Sequence, residues 1–112
     1  MSQPLPAWVI AIGPEKMNWN DAKDYCASKG GKMPLIGGRS SLDITTVSKG
    51  MSIDGFGSVG AKWPSDLPLT CYWSGTVNSD NPDSPFVIIR DGDIVSIGSS
   101  MKSIKDAVLC IR

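Results

Sequence analysis

The 112 residues predict an α+β domain, with small antiparallel sheets, one or two helices and a long irregular loop. Three observations carry that prediction. Residues 18–35 have the pattern of a short amphipathic helix with a cap at one end and a hard stop at the other. Short runs rich in strand formers lie at both ends of the chain. An Asp-Gly hairpin sits in the second half, beyond a middle stretch punctuated by glycine and proline. The length suits one domain over 1–112 with a modest core, in which 1–6 reads as a linker or vector-derived tail.

Taken in order, Ala7 to Ile12 is apolar, rich in strand formers and closed by Gly13-Pro14, and reads as the first strand. The helix follows. Asn18 is suited to accept from the free amides of its first turn, and Asp21 complements the positive end of the dipole. Trp19, Ala22, Tyr25 and Cys26 recur at helical spacing and share one face. Gly30 is placed for the left-handed C-terminal position, and Pro34 prevents the helix from resuming. Residues 40–47 offer a weak second helix capped by a serine, against which their β-branched content argues.

From Lys49 to Leu69 regular patterning dissolves. Met51, Ile53, Phe56, Val59 and Trp63 remain as apolar anchors for a loop whose length points to function. Residues 71–76 read as a strand and 78–85 as a polar loop. Phe86 to Arg90 and Asp93 to Ile97 flank Asp91-Gly92, the composition of a type I′ turn. Residues 107–111 form a last strand. The two terminal apolar strands are natural neighbours in one sheet.

Eleven basic and eleven acidic residues balance to a formal net charge of zero, which leaves no electrostatic footprint for nucleic acid or an anionic membrane. No apolar run is long enough to span a bilayer, and the N-terminal residues lack the pattern of a signal peptide. The chain reads either as cytosolic or as a domain cut from a larger polypeptide. Histidine is absent, which removes the usual general base and the commonest transition-metal ligand. Ser–Lys and carboxylate dyads stay formally open, but no motif argues for catalysis or for a bound cofactor. Three cysteines permit one disulfide and a spare thiol, with Cys110 a candidate partner for Cys26.

Trp19-Asn20-Asp21-Ala22 with Tyr25-Cys26, Gly30 to Pro34, Tyr72-Trp73-Ser74-Gly75-Thr76 and Val108 to Arg112 together resemble the C-type lectin-like domain. The likeness is greatest to the variety at the tips of bacterial surface adhesins of the invasin and intimin class, toward which Ile53 to Gly57 also points. It spans essentially the whole chain. It implies a disulfide between Cys26 and Cys110, hence an oxidising compartment. The alternative is a pair of buried reduced thiols in the cytosol. Cys71 is left as a small buried apolar residue.

Sugar-binding members of that family hold calcium with a Glu-Pro-Asn or Gln-Pro-Asp triplet and a Trp-Asn-Asp triplet on the next strand. Asn81-Pro82-Asp83 imitates the first, but the strand after the hairpin reads Asp93-Ile94-Val95-Ser96. Asp91 and Asp93 read as turn residues, so no metal site is expected. Trp63 has two readings: an exposed indole that acts as a binding hot spot, or an anchor folded inward.

The resemblance implies a non-catalytic module for adhesion or receptor recognition, displayed extracellularly on a bacterial outer-membrane protein. Its ligand would be a host cell-surface protein or glycan, bound without calcium and without insertion of this domain into a membrane. Lys62, Trp63, Asn78, Asp80, Asn81 and Asp83 are the candidate contact residues, expected on one side of the frame. A structural cap on a larger fibre and calcium-dependent sugar binding are the alternatives. A related fold hosts the formylglycine-generating oxidase, which needs a cysteine pair where this chain has one spare thiol.

Overall fold

A computed structural model describes residues 6–65 and 67–112, so most of the tail expected at 1–6 lies outside the described residues. The element order is β1 (Val9–Ile12), α1 (Trp19–Ser28), β2 (Ser41–Leu42), a 3₁₀ turn (Ile44–Thr46), β3 (Ser52–Ile53), β4 (Gly57–Ser58), β5 (Tyr72–Asn78), β6 (Asn81–Asp91), β7 (Ile94–Ser99) and β8 (Leu109–Ile111). This is a mixed α+β arrangement of small sheets around one α-helix. The strands form a four-stranded sheet in the order β2-β5-β6-β7, a β1–β8 pair and a β3–β4 hairpin.

The helix forms as its sequence dictates. The Asn18 side-chain oxygen accepts from the Asp21 amide at 2.9 Å, and Trp19, Ala22 and Cys26 are buried on one stripe, with Tyr25 half-buried beside them. Gly30 follows with φ +78°, a conformation that a side chain would strain. The terminal strands pair antiparallel, Val9 opposite Ile111 and Ile12 opposite Leu109. A disulfide joins Cys26 on α1 to Cys110 on β8, with Cα atoms 5.2 Å apart. Helix and terminal pair are thereby one covalently closed unit.

The core divides by strand alternation, since neighbouring residues of a strand point to opposite faces. Tyr72, Phe86, Ile88, Leu109 and Ile111 join Ile53, Phe56 and Trp63 in one apolar cluster. Trp73, Val87, Val108 and Cys110 join Trp19, Ala22 and Cys26 in the other. The sheet and terminal pair are thus buried on both faces, by the middle loop on one side and by α1 on the other.

Several expectations are corrected. Residues 40–47 form no second helix. Val77 and Ser79 amides donate to the carbonyls of Ser40 and Leu42, so β2 lies parallel to β5. The β-branched Ile44-Thr45-Thr46 then manages only a 3₁₀ turn, capped by Asp43 rather than a serine. The middle stretch is not wholly irregular, because β3 and β4 form a small hairpin inside it. The expected polar loop at 78–85 shrinks to a tight turn: Asn81 already pairs with Asn78, and Pro85 with Val77, leaving 82–84 as a bulge in β6.

The β6–β7 hairpin forms, but Asp91 pairs with Ile94, which makes Gly92-Asp93 the two-residue loop. Gly92 has φ +69°, and among the described residues no non-glycine residue has a positive φ. Positive φ at the first loop position alone matches type II′ rather than I′.

Candidate functional site

The candidate contact residues fall at two ends of the sheet. Near the β5–β6 turn, the Asn78 side-chain oxygen accepts from the Asp80 amide at 3.0 Å, which closes the turn without a glycine. Asn81 Nδ2 donates to Ser84 Oγ at 3.3 Å across the bulge. The Asp83 carbonyl accepts from the Lys102 amide at 3.0 Å, while Asp80, Asn81 and Asp83 remain exposed. Asp43 at the end of β2 joins this group. The backbone amide and hydroxyl of Thr45 hold its carboxyl below the usual carboxylate range, and its charge pushes Asp80 upward.

Lys62 and Trp63 lie elsewhere. Lys62 is bridged to Ile94, and the Trp63 amide donates to the Asp93 carbonyl at 2.6 Å, beside the opposite end of β6. An eleven-residue strand separates the two groups, roughly 30 Å at the strand rise of about 3.3 Å per residue. The expectation that Lys62 and Trp63 share one surface with the 77–85 segment is therefore corrected. Lys62 is exposed, but Trp63 is only 6% exposed. Its ring lies 5.3 Å from that of Phe56 and stacks on Tyr72 at 6.3 Å with 13° between planes. Aromatic contact drives the indole inward, so Trp63 anchors the loop and offers no surface for a ligand.

The calcium-lectin donor pattern does not assemble. Asp91 and Asp93 sit at the far end of β6 from Asp83. Among the described residues, no three His, Cys, Asp or Glu side chains gather as a metal-ligating group. No described helix is long and apolar enough to cross a membrane.

The Tyr-Trp-Ser-Gly-Thr stretch has a structural role that its composition conceals. Trp73 pairs with Val87 and Val77 with Pro85, so Ser74, Gly75 and Thr76 together face Phe86. This wide bulge costs ladder bonds, which two fully buried hydroxyls replace. Ser74 Oγ donates to the Phe86 carbonyl at 2.7 Å. Thr76 Oγ1 donates to the Arg39 carbonyl at 2.7 Å and accepts from the Ile36 amide at 2.8 Å. Gly75 brings the strand against the chain after α1: its amide donates to the Pro34 carbonyl, and a Cβ there would meet Leu35 Cδ2 at 2.9 Å.

That close approach shapes a groove of about 480 Å³ that the sequence reading did not find. Trp19, Lys23 and Ala27 form one wall along α1, Met33 and Leu35 another, and Gly75 and Val77 the floor. Lys23, Ala27 and Lys32 are exposed at its rim. The i, i+4, i+8 spacing of Trp19, Lys23 and Ala27 was the available signal. The floor supplied from β5 depends on the bulge, and no local pattern announces it.

Cys71 keeps a free thiol and is half-buried rather than fully buried as expected. Burial and the nearby Asp106 carboxyl push its pKa up, which makes it a poor nucleophile at neutral pH. No family model, no curated protein and no solved structure matches the chain.

Proposed function

We propose that the chain is a non-catalytic binding module of the C-type lectin-like kind, carried by an extracellular bacterial adhesin of the invasin and intimin class. One observation carries the reading: the disulfide from the inner face of α1 to β8, with β8 paired to β1. A helix clamped to paired terminal strands, with a long middle loop packed by aromatic anchors, makes a rigid frame for displayed loops. The disulfide also favours an oxidising compartment. The contact surface is assigned to Asn78, Asp80, Asn81 and Asp83 around the β5–β6 turn, with Asp43 beside Asp80; Lys62 stands apart from it. The acidic, hydrogen-bonding character of this turn suits a basic patch on a host protein or the hydroxyls of a glycan.

The test is capture of host cell-surface proteins and glycan-array binding by the disulfide-bonded chain, with Asp80→Ala and Asp83→Ala variants. The expected result is a ligand of the parent chain whose capture is lost in the double variant and unchanged in chelator. Equal capture by parent and variant would overturn the assigned surface. Loss in chelator would replace it with calcium-dependent sugar binding.

A further inference from the structure

We infer that the groove between α1 and β5 is a binding site for a small organic anion with an apolar body, an aliphatic or aryl carboxylate. Its volume of about 480 Å³ lies within the roughly 300–1,000 Å³ range of small-ligand sites. Its lining combines apolar surface from Trp19, Ala27, Met33, Leu35 and Val77 with the hydroxyl-bearing Ser40 and Ser41. Lys23 and Lys32 are the charged members, and no carboxylate lines it among the described residues.

The charged lining is positive although the chain as a whole carries no net charge, and Asp54, which accepts from the Leu35 amide at 3.0 Å, borders Lys32 on the adjoining face. The Lys23 and Lys102 ammonium groups lie 5.4 and 4.8 Å from the Trp19 ring centroid, which sets cations around an aromatic residue of the groove lining. The C-terminal carbonyls of α1 do not offset them. The Tyr25, Cys26 and Ala27 carbonyls are taken by the amides of Lys29, Gly30 and Gly31. Apolar walls favour the body of such a ligand, and the two rim ammonium groups select a negative head over a neutral or positive one.

The groove is also preformed. The Trp19 indole N–H donates to the buried Ser74 carbonyl at 3.0 Å, which fixes the ring against the β5 bulge. Anchoring by the disulfide at Cys26, one turn from Lys23, holds the helix wall in place. Little ordering is then needed on binding. This site borders the β5–β6 turn but shares none of its contact residues, so its failure would leave the proposed recognition surface standing.

The experiment titrates the disulfide-bonded chain with sodium decanoate, decanol and decyltrimethylammonium, each below its micelle concentration, and follows the indole N–H signals by NMR. Decanoate is expected to give a saturable shift at Trp19, weakened by added salt. Lys23→Gln with Lys32→Gln should weaken it at least about fivefold, as should replacement of decanoate by decanol. Ala27→Trp, an exposed change that fills the groove, should abolish the Trp19 shift while the thermal melt stays cooperative. Four results would overturn the assignment: no saturation, a shift that spares Trp19, equal affinity in the lysine variant, or decyltrimethylammonium binding as tightly as decanoate.

Discussion

The Tyr72 hydroxyl and the Trp63 indole N–H are both buried without a hydrogen-bond partner among the described residues. Their rings are stacked, so aromatic packing holds two donors away from protein acceptors among the described residues. Burial pushes the Tyr72 pKa up to about 12. Its contribution is therefore present below pH 10, the unfolded value, and is lost as pH rises through about 12. Tyr72→Phe keeps the ring and removes the unsatisfied hydroxyl. It should raise stability by about 1 kcal/mol and flatten that alkaline loss, as measured by urea midpoints at pH 7 and pH 11. Trp63→Ala should instead cost about 3–5 kcal/mol by opening a cavity beside Phe56. Which way Trp63 faces was not legible in Lys62-Trp63-Pro64. Phe56 and Tyr72 decide it from separate segments, and no local pattern records that three-ring contact.

Elements with local causes were legible. The Asn18 cap, the stripe on α1, the turn at Gly30 and the β6–β7 hairpin each depend on residues a few positions apart. Elements set by distant partners were not. Ser41-Leu42 becomes a strand because β5 offers its edge, and the Ser74–Thr76 bulge exists because Phe86 and Arg39 carbonyls accept from its hydroxyls. The acidic turn between β5 and β6 yields a prediction of its own. The folded pKa of Asp80 is raised by Asp43, so ionised Asp80 opposes folding. That cost is absent well below the carboxylate range and appears as pH rises through the folded value. Asp80→Asn should therefore unfold at higher urea than the parent at pH 7 and at the same urea near pH 2. A parent-like midpoint at pH 7 would show that the two carboxylates do not repel in solution.

For the whole molecule, the α+β class and the adjacency of the terminal strands could be read from two apolar runs and one capped helix. The placement of the candidate site could not, because the long β6 carries its two halves apart. The Cys26–Cys110 tie, which spans 84 positions, governs stability at this scale. Closing so long a loop contributes about 4–5 kcal/mol in the chain-entropy description, against about 5–15 kcal/mol for a whole small domain. Cys26→Ala with Cys110→Ala should lower the unfolding free energy by that amount, measured by urea unfolding with the parent under reductant as a second arm. The same tie has a mechanical consequence. Val9 and Ile111 lie side by side, so tension applied across them unzips β1 from β8 one rung at a time. Extension must then halt at the sulfurs. Only the stretch from Val9 to Cys26 can pay out, about 60 Å of contour, while everything enclosed between the two cysteines is shielded from load until the bond is cut.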